Sequence, residues 1–286
     1  MMQRYWFGDF DGAGCQKAPT DVKKLAERLS ILHPDLETFV PLQWEQAIQC
    51  GFVTTRSEYI EKIRSLCFFI AQSTISSFLQ RKDEELVRMV RVLDEMDEVI
   101  NHLLEPLIDW YNIYNPSFSR KMSRQSDRKC ITKMKKTDNT SLYSCLDGVE
   151  NIISLRSVLA SDVNRQATVV LPNCCALVGG IVAARLLARA GGLERLAKMP
   201  SARIQVLGAE NALFSHLQVG SPSPKHGIIF QHQRIHNAPR KVRGKVARVL
   251  AGRLSIAAKF DYQRGTLVAD FVEDSQNRIN RIGGFT

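Results

Sequence analysis

The chain has 286 residues and a mass of 32.3 kDa, with 44% hydrophobic residues, 24% charged residues and a net charge of +10. That balance belongs to a globular protein of about two domains and excludes a wholly disordered, collagenous or low-complexity chain. The longest apolar run, Cys174–Ala184, stops at Arg185, far short of the ~20 residues a bilayer requires. Residues 1–11 hold no uninterrupted apolar core of the kind a secretory signal needs, so no membrane partner and a cytoplasmic setting are expected.

The opening Arg4–Phe10 is aromatic-rich and runs into Asp11-Gly12, which predicts a strand and a tight turn. Thr20 or Asp21 is placed to cap a helix carrying Val22, Leu25 and Leu29 on one face, after which Pro34, Pro41 and Gly51 punctuate short elements. Residues 1–57 are therefore expected to form a small α+β domain. The seven cysteines include no CxxC pair, which excludes zinc-ribbon and thioredoxin-type sites; reduced, buried, apolar cysteines are expected instead.

From Ser57 the pattern becomes one of long helices. Leu86, Met89, Leu93, Met96, Ile100, Leu103, Leu107 and Trp110 alternate spacings of 3 and 4 over 25 residues, a heptad seam ~36 Å long. Acidic and basic side chains fill the other faces, and Pro116 ends the run. Residues 117–140 have little apolar surface and read as a mobile basic connector. Leu142, Cys145, Val149, Ile152 and Leu159 then resume the seam up to about Ala167. The expectation for residues 58–170 is an antiparallel helical hairpin or coiled coil with a basic tip, with self-association through it an open alternative to a plain two-helix core.

Residues 171–265 are all-helical by pattern, and residues 266–286 are expected to be a tail. The fold class is thus mainly α, with a small α+β amino-terminal domain and an all-α carboxyl-terminal one. Charge is divided along the chain: residues 1–118 carry 12 Lys/Arg against 18 Asp/Glu, residues 119–136 carry 8 against 1, and residues 171–265 carry 15 against 3. Such asymmetry points to a polyanion as the partner of the second half.

No catalytic constellation can be written. His232 and His236 stand at i, i+4, a spacing that suits zinc on a helix, but Asn237, Ala238 and Pro239 follow at once and no acid lies between Ala212 and Phe260. Gly179-Gly180 follows no strand, so a phosphate-cradling turn is not indicated, and Glu210 reads as a capping or pairing group. No cofactor, metal or enzymatic activity is expected. What does cluster is basic and polar: Lys225, His226, Gln231, Arg234, Arg240, Lys241, Arg243, Lys245 and Arg248. Lys and Arg heads meet phosphates, while Gln and His heads reach base edges or 2′-hydroxyls. A merely solvated basic face interleaves acids, and this one has none.

The basic region closely resembles the Nop domain of the Nop family, the scaffold proteins of box C/D ribonucleoproteins and their splicing-factor relatives. The likeness rests on Leu171-Pro-Asn173, Leu177-Val-Gly179, Ala184-Arg-Leu186, Ala190-Gly-Gly-Leu193 and Leu196-Ala-Lys-Met-Pro200. It continues through Ile204–Phe214, Pro224–Phe230, Arg243–Arg248 and Ala257–Asp261. The resemblance implies a non-catalytic scaffold that binds box C/D guide RNA together with a kink-turn-binding ribosomal-type protein. It also implies that the amino-terminal domain holds fibrillarin, the methyltransferase, for 2′-O-methylation of ribosomal and transfer RNA. By resemblance RNA contact falls on Lys225, Gln231, Arg243, Lys245 and Arg248. Asn173, Gly208, Ala209, Glu210 and Phe214 are assigned to architecture, with exposed neighbours and Leu193–Lys198 toward the kink-turn protein. The splicing-factor relatives give the alternative expectation, an RNA-binding protein of another ribonucleoprotein acting without fibrillarin. Three departures stand out: Asn211 replaces the family's basic residue, the stretch between Trp110 and Leu171 is short, and no lysine-rich tail follows Gly283-Gly284. The last favours an archaeal-type member.

Overall fold

The computed structural model describes residues 3–11, 14–32, 43–118 and 127–283. Gly12, Pro34, Pro41 and the stretch 119–126 of the expected basic tip lie outside the described residues. The mainly α class holds: fourteen helices and one three-stranded sheet make up the described elements. The chain divides into two compact units, Met1–Arg81 and Lys82–Thr286.

In the first unit, β1 (Gln3–Tyr5), β2 (Gly8–Asp11) and β3 (Gly14–Lys17) form an antiparallel meander. The expected single strand is broken because Tyr5 pairs with Gly8, leaving Trp6 and Phe7 as the connection. Both rings are buried, and Trp6 donates its indole N–H to the Tyr59 hydroxyl at 3.2 Å. Burial of two large aromatics drives the turn that a strand pattern would hide. α1 (Val22–Leu32) contributes Leu25 and Leu29, α2 (Trp44–Gln49) contributes Ala47, and α3 (Arg56–Leu79) contributes Tyr59 and Leu66 to this core. α3 therefore closes the first unit rather than opening the hairpin. Thr55 caps it by accepting the Glu58 N–H, and Glu58 in turn accepts the Thr54 N–H at 2.8 Å. That bond, with Lys62 beside it, holds the Glu58 carboxyl down to about 2.

β3 and the end of α2 bring Cys15 and Cys50 to a Cα separation of 5.2 Å, joined as a disulfide. The expectation of seven reduced, buried cysteines thus fails at this pair and at the exposed Cys67 and Cys145, whereas Cys130, Cys174 and Cys175 are buried. The pairing depends on tertiary proximity across 35 residues, which spacing alone does not reveal.

The second unit opens with α4 (Lys82–Tyr114), a helix of 33 residues. α6 (Thr140–Val170) packs against it in antiparallel sense: Arg156 grips Asp97 near the middle, and Asn139 reaches Tyr114 at the far end. Between them α5 (Asp127–Met134) places Cys130, Ile131 and Met134 in a core with Ile100, Leu104, Leu107, Leu142 and Leu146. This corrects the reading of a mobile connector over residues 127–134. Three apolar side chains at i, i+1 and i+4 suffice to anchor two helical turns. Lys135 secures the junction on Asp147 and Glu150, which push its ammonium pKa upward. The buried face of α4 is also wider than one heptad seam. Leu86, Val87, Val90 and Leu93 enter a second core shared with the carboxyl-terminal helices, while Leu103 stays 40% exposed.

That second core is built by α7 (Pro172–Val178), α8 (Gly180–Ala190), α9 (Leu193–Lys198), α10 (Ser201–Val206), α13 (Arg243–Gln263) and α14 (Ala269–Gly283). α13 runs through the middle with Val246, Leu250, Leu254 and Ala258 buried, while Ile256 is 41% exposed. α14 replaces the expected tail, because Ile279 and Ser275 are buried and Arg253 of α13 pairs with Asp274 at 2.7 Å. Gly179 adopts φ +84° and breaks the chain between α7 and α8, so Gly179-Gly180 is a helix–helix junction. A Cβ on Gly180 would stand 2.2 Å from the Asn164 side chain, which is how closely α6 approaches.

Candidate nucleic-acid interface

The basic residues singled out in the sequence lie around the segment that leads into α13. After α11 (Glu210–Val219) the chain returns so that Gly227 donates to Gln205 and Ile228 donates to Leu207, at 2.9 and 2.8 Å. A Cβ on Gly227 would fall 2.0 Å from the Leu207 carbonyl, so only glycine permits this crossing. A 3-10 turn (Ile228–Gln231) and α12 (Gln233–His236) follow, then the start of α13.

Lys225, Lys241, Lys245 and Arg248 converge on a cleft of about 500 Å³ floored by Gly244 and flanked by Gln205, Ser223 and Pro224. Lys245 and Arg248, three apart, share one face of the first turns of α13, and Lys241 stands in the turn just before its N-cap, Val242. All four cations are exposed, and among the described residues no carboxylate lines the cleft. Gln205 Nε2 donates to the Lys225 carbonyl at 2.8 Å and fixes the lip. Four exposed cations around a trough suit a chain of phosphates.

Three other predicted residues do different work. Arg243 is turned inward: Nη2 donates to the carbonyls of His236 and Ala238 at 3.0 and 3.2 Å, and the guanidinium lies 5.2 Å from the Phe230 ring centre. His226 stacks on the same ring at 4.4 Å, with planes 14° apart. Arg243 and His226 therefore brace the loop that carries Lys225. Gln231 accepts from Arg185 Nη1 at 2.8 Å. Arg234 on α12 and the exposed Arg240 stand outside the cleft. His236 leans on Phe230 at 5.1 Å and His232 is partly buried; no group of side chains able to hold a metal occurs among the described residues.

Burial, and then Arg243, lower the His226 pKa; burial, and then Arg234, lower that of His232. Both folded values thus lie below the ordinary 6.5, and both rings bind fewer protons folded than unfolded. Their contribution to stability is complete above pH 6.5 and is lost as the pH falls through the folded values. The melting temperature of the second unit should fall as pH drops from 7.5 toward 5.5, and a scan of His226→Gln should show a shallower fall.

Among the architectural residues, Asn173 is fully buried. Its Nδ2 donates to Asp261 and to the Thr266 carbonyl, both at 2.8 Å, and its Oδ1 accepts from Val268 N–H at 2.7 Å. Asp261 also accepts the backbone N–H groups of Asn173 and Cys174, capping α7. Gly208 takes φ +83°, Ala209 precedes α11, and Glu210 accepts the Gly208 N–H at 2.8 Å. Phe214 does not fit that role. α11 has no buried residue, and Phe214 is 61% exposed with Leu217 and Val219 more so. The apolar face of this helix is open.

Sequence reasoning passed over Arg185, Gln205 and Phe230 as site residues. Arg185 makes its contacts with Asp94 and Asp97, which local pattern cannot connect to it.

Residues 121–281 match the family model described as Nop, snoRNA binding domain, fibrillarin. The chain belongs to the Nop family. It is 31% identical over 270 residues to an uncharacterized NOP5 family protein of Methanocaldococcus jannaschii, covering 82% of this chain and 65% of that protein. It is 29% identical over 215 residues to nucleolar protein 58 of Emericella nidulans, covering 63% of this chain and 37% of that one. The Nop chain in hand therefore spans less than two thirds of these relatives' length. It is also similar to a chain in a crystal structure of a fibrillarin/Nop5p complex, at 28% identity and a TM-score of 0.53, over 99% of this chain and all of that one. No helix among the described residues of this Nop protein is long and apolar enough to cross a membrane.

Proposed function

We propose that the chain is a non-catalytic scaffold of an archaeal-type box C/D guide ribonucleoprotein. The acid-free cleft of Lys225, Lys241, Lys245 and Arg248 takes the backbone of a kink-turn guide RNA, and this observation carries the reading. The open apolar face of α11, with Phe214, Leu217 and Val219, supplies a surface for the kink-turn-binding protein beside the RNA. Fibrillarin is assigned to the first unit, supported by similarity along nearly the whole chain to a chain from a fibrillarin/Nop5p complex. Val92, Val99 and Leu103 remain exposed on α4, which favours pairing of two copies through the hairpin. Chemistry is left to the methyltransferase, and the assembly works in the cytoplasm.

Native gel shifts with kink-turn RNA, its bound protein and fibrillarin test the proposal. The chain should supershift the RNA only when the kink-turn protein is present, and fibrillarin should join the same band. Absence of any supershift overturns the RNA reading. A supershift that never recruits fibrillarin moves the chain to a splicing-factor-like ribonucleoprotein.

A further inference from the structure

Gln231 sits at the exposed end of the 3-10 turn, and its side-chain amide has two ends of opposite character. Arg185 settles which end faces the solvent. A guanidinium only donates, so the amide atom 2.8 Å from Arg185 Nη1 is the oxygen. The NH₂ group is then left pointing away from Arg185. Arg185 is itself immobilised: Nε donates to Asp94 at 2.8 Å and Nη2 to Asp97 at 3.1 Å, with its side chain only 17% exposed. Asp97 is gripped from the other side by Arg156 at 2.8 and 3.2 Å. The chain of contacts Arg156–Asp97–Arg185–Gln231 thus runs from the hairpin helices to the exposed 3-10 turn, along a cleft of about 1280 Å³ that also holds Glu95, Glu98, Arg91 and Arg189.

We infer that Arg185 is a positioning residue that locks Gln231 with its two N–H donors outward, so that this turn engages an oxygen acceptor on RNA and discriminates against a donor. The inference rests on the RNA-binding reading and specifies what one of its residues recognises. An amide free to rotate would accept either partner by exchanging its ends; an amide pinned by a cation cannot. The acceptor chemistry is shared by a phosphate oxygen and a ribose 2′-hydroxyl, and the two are separated by the RNA used.

The test measures RNA affinity in the presence of the kink-turn protein for the wild-type chain, Gln231→Met, Arg185→Met and the double variant. RNAs carry single methylphosphonate, 2′-deoxy or inosine-for-guanosine substitutions. Gln231→Met should weaken binding about 5-fold, the loss of one hydrogen bond, with no change in salt slope because no charge is removed. In the Arg185→Met background the same substitution should cost clearly less. One methylphosphonate or one 2′-deoxy position should weaken the wild type and leave Gln231→Met indifferent, identifying a phosphate or a hydroxyl respectively. Unchanged affinity of Gln231→Met, strict additivity of the two substitutions, or coupling of Gln231 to the guanosine amino group removed by inosine would each overturn the inference. If Arg185→Met does not fold, the RNA-side comparison between wild type and Gln231→Met still decides it. Failure of the wild-type chain to bind RNA at all would instead strike the underlying reading.

Discussion

Replacing Lys241, Lys245 and Arg248 together with alanine should raise the dissociation constant for the RNA–kink-turn protein complex about 100-fold at 0.15 M salt. The figure follows from counterion release: each cation withdrawn from a phosphate takes roughly 0.9 off the salt slope, which at this ionic strength is about 1 kcal/mol. The plot of log affinity against log salt should therefore flatten by between two and three. All three side chains are exposed and line the cleft without a carboxylate partner there, so the fold should lose no more than about 0.5 kcal/mol per site. Fibrillarin recruitment, which the proposed function assigns to the first unit, should be untouched. Arg243→Ala gives the contrast. Its guanidinium holds two backbone carbonyls and the face of Phe230, so its loss should lower the melting temperature and leave the salt slope nearly unchanged. Isothermal titration over 50–300 mM salt, beside thermal melts of the same samples, separates the two behaviours.

Asn173→Ala should destabilise the second unit by about 3 kcal/mol, the upper range for stripping partners from buried polar groups. The side chain joins the start of α7 to Asp261 near the end of α13 and to the Thr266–Val268 turn before α14. Its removal leaves the Thr266 carbonyl, the Val268 N–H and one bond of a 3% exposed carboxylate to find other partners. For a unit of this size the melting temperature should fall roughly 10 °C. Asn173→Asp conserves volume but removes both donors and sets a second carboxylate against Asp261. It should therefore be worse than alanine. Were shape the issue, aspartate would be the milder change; denaturant melts of both variants distinguish the cases.

The helical plan was legible because its signals are local. Leu86, Leu93, Ile100 and Leu107 alternate at helical spacing and are buried, and Asn139 caps the return helix by accepting the Leu142 N–H at 3.0 Å. The cationic cleft was legible in part. Lys241, Lys245 and Arg248 belong to the acid-free basic cluster visible in the sequence, and Lys225 joins them because glycine at 227 lets two segments cross. Arg243 looked identical to its neighbours in sequence; its place on the helix turns it from the trough to Phe230, and composition does not contain that rotation. The Cys15–Cys50 pair, the Arg185 clamp and the Asn173 hub all join residues dozens apart, where only the folded chain supplies the distance. Helix α5 escaped notice because its three apolar residues are embedded among Lys and Arg, so average polarity masked a narrow buried face. Phe214 differs in the opposite direction: the family resemblance assigns it to architecture with Gly208–Glu210, whereas no residue of α11 is buried.

Photo-crosslinking of 4-thiouridine-labelled kink-turn RNA to the assembled complex, with the modified peptides identified by mass, decides whether RNA occupies the cationic cleft. Adducts are expected within residues 223–248, around Lys225, Lys241, Lys245 and Arg248, and should vanish in the triple alanine variant. Adducts confined to α4, α6 or α14, with none in that stretch, would contradict RNA binding at the cleft.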